Sequence, residues 1–237
     1  THTHGMPSLL PLLQWGSVSD AFRDLVYVRA TEAAKAAMDD LSEADCYIGS
    51  QRVEGGNSNR TVKTWKTDAN FTAQGTDDER WLDTLLQALY FQRADNKKPL
   101  LWYHFCAHPV CYQDTQAGPD WPGIVAEGIE PRPGFLQGHI GDVNPGDGKK
   151  WIGEPMQTAQ AIAPALHHAM GHGDIVEVDD LKIVNATVDL PFDMDRFKAD
   201  IEFHKTQPEK CKDGVWVDEG FAKAWSEIAA QWNMNTT

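Results

Sequence analysis

Near its start the chain reads Thr1-His2-Thr3-His4-Gly5, two histidines separated by one residue. In an extended backbone alternate side chains share a face, so His2 and His4 project together. Two imidazoles on one side make half of a metal site or an acid/base pair. The same residues also suit a frayed terminus or an engineered tag remnant, so the rest of the chain has to decide. Two further polar groups stand where apolar runs end: His108 after Leu100–Ala107, and Asp142 with Asn144 after Gly134–His139. Strand ends and the loops beyond them are where scaffolds present reactive groups. Histidines from two segments plus a carboxylate are what a zinc centre draws on. Neutral imidazole binds Zn²⁺, and an open position lets the metal acidify a water near neutral pH. A nearby Asp or Asn can orient ligands or hold substrate.

Each piece has a plainer reading. A lone His at a strand end is more often a satisfied polar residue than a ligand. Gly-Asp-x-Asn-Pro-Gly is a strong turn sequence by itself, because Asp and Asn bond locally and Gly permits positive φ. Arg60 suits a solvated surface charge. His167, His168 and His172 fall near a helix end, where they complement its dipole.

The elements that must position these residues follow from pattern. Ser19 or Asp20 can cap a helix running to about Leu41. Its residues Phe22, Leu25, Val26, Ala30, Ala33, Ala37 and Leu41 fall on one face and predict that it covers a core. Cys46–Ile48 reads as a strand, and residues 61–80 as a long loop. Thr84–Gln92, Ala94–Lys97 and Pro99–Ala107 read as strand, turn, strand, the second strand apolar enough to be buried on both faces. A short helix is expected over 122–130 and a buried strand over Gly134–His139. A helix follows at Glu154–Met170, stopped by Gly171. Ile175–Leu190 reads as strand-rich, with amphipathic helices near 193–203 and 217–231. The order predicts one α/β unit over 1–237, with mixed β-sheets flanked by helices.

The 237 residues can bury a full core. A formal net charge of −14 argues against nucleic acid, whose phosphates would be repelled. No apolar run reaches the length of a membrane span. The four cysteines, Cys46, Cys106, Cys111 and Cys211, form no CxxC pair, which argues against a cysteine zinc site. Cys106 and Cys111 read most simply as buried thiols, a disulfide between them being the other reading.

Five segments in order resemble the neutral (neutral/alkaline, non-lysosomal) ceramidase family. Thr1-His2-Thr3-His4 resembles its T-H-T-H-S-G-P motif, with Gly5-Met6-Pro7 in place of S-G-P. Asn59-Arg60 resembles an N-R pair, and Phe105–Val110 the strand ending in A-x-H-P. Asp120-Trp121-Pro122-Gly123 resembles a D-x-P-G step, and Gln137–Pro145 the Q-G/N-x-G-D-V-S-P loop. Asn144 replaces the usual Ser of that loop.

The resemblance implies part of a larger ceramidase-like catalytic domain, secreted or periplasmic. Its activity would be the zinc-dependent hydrolysis of the amide bond of ceramide to sphingosine and a fatty acid. It implies that His2 and His108 are zinc ligands, that His4 and Arg60 orient substrate or handle protons, and that Asp142 and Asn144 lie beside the metal. The family completes its zinc shell with a Glu and a Tyr far downstream. The expectation is therefore an internal piece that needs the remainder of the same protein, with a lipid or N-acyl amide as substrate and peripheral membrane contact. Rival readings are a hydrolase of another N-acyl amide or lipid, and a non-catalytic relative that kept the fold and lost the metal. A third is a TIM-barrel amidohydrolase, for which the chain is short and its βα alternation irregular.

Overall fold

The computed structural model describes residues 2–7, 9, 19–76, 78–112, 117–178, 182–189, 193–196 and 198–199. By its internal contacts the chain divides into two units, Thr1–Pro7 with Ala33–Leu181, and Ser8–Glu32 with Lys182–Thr237. The elements in order are α1 (Asp20–Asp39), β1 (Ala44–Arg52), β2 (Asn57–Asn59), β3 (Lys66–Thr67), β4 (Trp81–Leu82), β5 (Leu85–Arg93) and β6 (Leu100–Phe105). They continue with α2 (Asp120–Glu127), β7 (Gly134–Gln137), β8 (Val143–Pro145), α3 (Pro155–Gly171) and β9 (Asp174–Val176). A single 3-10 turn, Asp68–Asn70, follows β3 within the stretch read as loop.

The fold class is α/β. The first unit is built on a five-stranded mixed sheet in the order β7-β6-β5-β1-β9, parallel between β6 and β7 and antiparallel elsewhere. Hairpin β5–β6 turns through Asp95 and Asn96, both with φ in the left-handed region (58° and 54°), where short polar side chains are tolerated. Pro155 opens α3 at a position where its missing N–H costs nothing. The helix buries Thr158, Ala159, Ile162, Ala165, Leu166 and Ala169, a spacing that lays one narrow, Ala-rich face on the sheet. That face meets Val53, Leu86, Ala88, Leu101, Tyr103 and Phe105, with Trp121 and Val125 of α2 completing the cluster. The result is a core beneath the C-terminal end of β6, where His108 emerges.

Several expectations need correction. Ser19 does cap α1, its Oγ accepting from the Phe22 amide at 3.4 Å, but no residue of that helix is buried. An apolar stripe in a sequence shows what a helix can cover, not what it does cover. β6 is buried on one face only: Leu101, Tyr103 and Phe105 are enclosed, whereas Leu100 and Trp102 remain 46% and 42% exposed. Alternation in burial, not uniform apolarity, marks a strand with one packed face. Among the described residues of the strand-rich 175–190 stretch, only Ile175 and Val176 pair, as the end of β9 against β1. The short helix starts at Asp120, two residues earlier than expected, and α3 runs through Gly171 to cap on His172. Residues 194–196 and 198–199 are helical, while 197, 200–203 and all of 217–231 lie outside the described residues. Among described residues, no helix is long and apolar enough to cross a membrane.

Gly49 shows how tightly α3 sits. A Cβ there would lie 1.8 Å from the Ala169 carbonyl oxygen, a backbone atom that cannot swing aside. Gly49→Ala should therefore cost about 3 kcal/mol in denaturant unfolding. Gly171→Ala, where an added Cβ meets nothing within 4 Å, should cost no comparable amount.

Candidate metal centre

His108 leaves the end of β6 in a short irregular segment, and backbone hydrogen bonds fix it there. Its amide donates to the Val143 carbonyl at 3.3 Å, which ties it to β8. The His4 amide donates to Pro109 O at 3.1 Å, and Gly118 N donates to Gly5 O at 2.9 Å, so the histidine-bearing segment lies alongside. Gly5 is required by that approach, since a Cβ would stand 2.8 Å from the Gly118 carbonyl oxygen. Consequently the His2, His4 and His108 rings form a triangle. Their centroids are 5.0 Å (His2–His4), 4.8 Å (His2–His108) and 5.0 Å (His4–His108) apart. One ring nitrogen from each lies within 4.8 Å of the others, close enough to share one ion.

His108 is 7% exposed, and both of its ring nitrogens are buried without a partner in hydrogen-bond geometry. The chemistry of the donor set therefore fits zinc: a buried imidazole with unused lone-pair capacity beside two more imidazoles. Burial, then the neighbouring His2 and His4 rings and the Arg60 guanidinium, depress the His108 pKa to about 4; the Ile140 carbonyl beside it opposes this weakly. His4 is also lowered, chiefly by burial and then by His2, with the Asp120 carboxylate acting in the opposite direction and Arg60 in the same one. Both rings are neutral at pH 7, the form that binds metal.

The Asn59-Arg60 pair and the Asp142 loop meet through a short ladder. β2 pairs antiparallel with β8, setting Ser58 opposite Asn144. The Arg60 amide donates to Asp142 O at 2.7 Å, and its guanidinium donates to Gly141 O from Nε (3.0 Å) and Nη2 (2.7 Å). Asn59 Nδ2 donates to Asp142 Oδ2 at 3.1 Å. Asp142 is thus engaged in holding Asn59, and Asn144 is buried with its Nδ2 donating to Trp151 O at 2.5 Å. The structure brings His2, His4 and His108 together with Arg60 within electrostatic reach, while the contacts of Asp142 and Asn144 are those of a scaffold. Beside Arg60 opens a groove of 520 Å³ lined by Asn59, Val62, Lys63, Trp65, Lys150 and Trp151 among others.

Asp120, fully buried, was not singled out as a site residue from sequence. It opens α2 with φ of 49°, unusual for a non-glycine residue and a place where backbone strain is stored. Its Oδ1 accepts from Trp121 N at 2.7 Å and its Oδ2 from Tyr112 N at 3.2 Å. The signal was the D-x-P-G step, but nothing in it reveals that the carboxylate faces His4. Cys46, Cys106 and Cys111 are free thiols. Burial, with Asp83 adding to it, pushes the Cys106 thiol up to about 12, which disqualifies it as a nucleophile. His168 and His172 stack at 4.1 Å at the end of α3, and His172 Nδ1 lies 3.0 Å from the His168 carbonyl oxygen.

No family model matches the sequence, and no curated protein matches it. The chain is similar to the crystal structure of neutral ceramidase from Pseudomonas aeruginosa, at 13% identity over 64% of this chain and 26% of that one, with a TM-score of 0.47. It is also similar to a ceramidase complexed with C2, at 15% identity over 59% of this chain and 23% of that one, TM-score 0.44. The chain thus spans about a quarter of the length of these structures. The likeness is distant and concerns the fold alone.

The depressed His108 pKa has a measurable consequence in metal-free protein. Between pH 6.5 and about 4 the unfolded chain protonates this ring and the folded chain does not. Its contribution to stability is complete above that window and is lost as the pH falls through it. Wild-type protein should therefore lose more stability than His108→Gln between those pH values, as read from paired denaturant titrations.

Proposed function

We propose that this chain carries part of the catalytic centre of a zinc-dependent hydrolase that cleaves a linear amide bond in an N-acyl lipid of the ceramide kind. The observation that carries this reading is the buried His108 ring, both nitrogens unpartnered, facing two further imidazoles. His2 and His108 would hold the metal, and the ligands that complete its shell would come from the remainder of the protein. A zinc ion there supplies Lewis-acid activation of an amide carbonyl and of the attacking water.

The chain's own residues divide the remaining tasks. His4 is the imidazole that feels the Asp120 carboxylate, so it is the one placed to take and return a proton. Arg60, fixed by two hydrogen bonds to Gly141 O, holds positive charge beside the ring cluster, where a tetrahedral oxyanion would develop. An amide is a poor electrophile, so both tasks are chemically needed. Asn59 and Asp142 keep Arg60 in place through the β2–β8 ladder. The adjoining groove pairs the Trp65 and Trp151 rings with Lys63 and Lys150, a surface suited to an acyl chain that ends in a carboxylate once cleaved. A secreted or periplasmic location and peripheral contact with a lipid surface belong to the same reading.

Three variants test it in the protein that contains this chain. His108→Ala should lose one equivalent of bound zinc and all amide hydrolysis; unchanged hydrolysis of an N-acyl amide would refute the assignment. Arg60→Ala should keep its zinc and lower kcat by roughly 10²–10³, the usual effect of removing one oxyanion donor. His4→Gln should likewise keep zinc while hydrolysis collapses, whereas loss of zinc would make it a ligand instead.

A further inference from the structure

A second group of ligand-type side chains lies apart from the histidine triangle and shares no residue with it. Asp83, in the link between β4 and β5, Cys106, just past β6, and His139, just past β7, bring one ligand atom each within 4.8 Å of one another. Cys106 Sγ stands 3.4 Å from Asp83 Oδ2 and 3.2 Å from His139 Nδ1. Ligand atoms on a tetrahedral zinc, with bonds of about 2.0–2.3 Å, lie roughly 3.3–3.7 Å apart, which is close to this spacing.

The surroundings build the site rather than merely permit it. Asp83 Oδ1 accepts from the Leu85 amide at 2.9 Å, which leaves Oδ2 turned to the sulfur. Asn57 Nδ2 donates to the backbone carbonyls of both Asp83 (2.7 Å) and Cys106 (2.6 Å), clamping the two segments together. Gly138 lets the third segment in, because a Cβ at that position would lie 2.4 Å from Cys106 Sγ and 2.9 Å from His104 Nε2. Cys106 is buried, Asp83 half-buried and His139 exposed, so the trio has one open side for entry of an ion and for a water ligand.

We propose that Asp83, Cys106 and His139 form a second metal site, selective for a borderline-soft divalent ion such as zinc, separate from the catalytic centre. A thiolate, an imidazole and a carboxylate favour such an ion over calcium or magnesium, which take oxygen ligands. The thiol proton passes to solvent as the sulfur–metal bond forms. The ion ties the loop after β7 to the end of β6 and to the entry of β5. That loop continues into Gly141 and Asp142, which hold Arg60 and Asn59, so on the function proposed above the second ion also steadies the loop that positions Arg60.

Cobalt(II) titration tests this, because a cobalt–thiolate bond gives an intense near-ultraviolet charge-transfer absorption that imidazole and carboxylate ligands do not. In a protein carrying His2→Ala and His108→Ala, the band should still appear and saturate at one cobalt per chain. Cys106→Ser should abolish it. His139→Ala, at an exposed position that leaves folding intact, should weaken cobalt binding by about 10-fold or more. A band that survives Cys106→Ser, no band at all in the double variant, or His139→Ala binding as tightly as its parent would each overturn the proposal.

Discussion

Two buried ring nitrogens of His108 without hydrogen-bond partners are the constraint around which this unit is arranged. Leaving a buried polar atom unsatisfied costs about 1–3 kcal/mol, and a ring nitrogen set among two further imidazoles would offset that cost on binding a metal ion. The surrounding contacts serve that ring. β6 delivers it, Val143 O receives its amide, Trp121 Nε1 donates to its carbonyl at 3.3 Å, and Pro109 O draws His4 alongside. The core formed by α3, α2 and one face of β6 makes the end of that strand rigid enough to sustain the arrangement.

Charge follows the same logic. Arg60 and three imidazoles crowd one side of the site; burial first, and then the repulsion a second positive charge would meet there, keep His4 and His108 neutral. Asp120 is the counterweight, its carboxylate raising the His4 pKa against these effects while the Trp121 and Tyr112 amides hold it. The acidic net charge of the chain as a whole has no bearing on this local balance, in which cationic and neutral donors face a position suited to negative charge.

The hairpin β5–β6, the presence of strand β7 and helix α3 could be read from sequence because apolar run, turn residues and helical spacing all agreed locally, but the burial expected of β7 is absent, Leu136 being 41% exposed. Burial of β6 on both faces could not, because Leu100 and Trp102 are as apolar as Leu101 and Tyr103; which face is covered depends on where α3 docks. For α1 the periodicity correctly gave a helix and wrongly gave a buried one. The histidines were visible as chemistry at strand ends, and the resemblance grouped them. Asp142 and Asn144 were visible too, but their hydrogen bonds make them supports for Arg60 and the β2–β8 ladder. Asp83, Cys106 and His139 stayed hidden, since sequence separations of 23 and 33 residues carry no spacing signal and only the sheet brings them together.

The central claim is that His2 and His108 share one ion. Nitrogen-15 chemical shifts of the histidine rings, followed as zinc is added to the metal-free protein, read it most directly. The account predicts that the ring resonances of His2 and His108 move together and saturate with the same equivalent of zinc, while those of His167 and His168 stay still. A His108 ring that remains unmoved by zinc would contradict it.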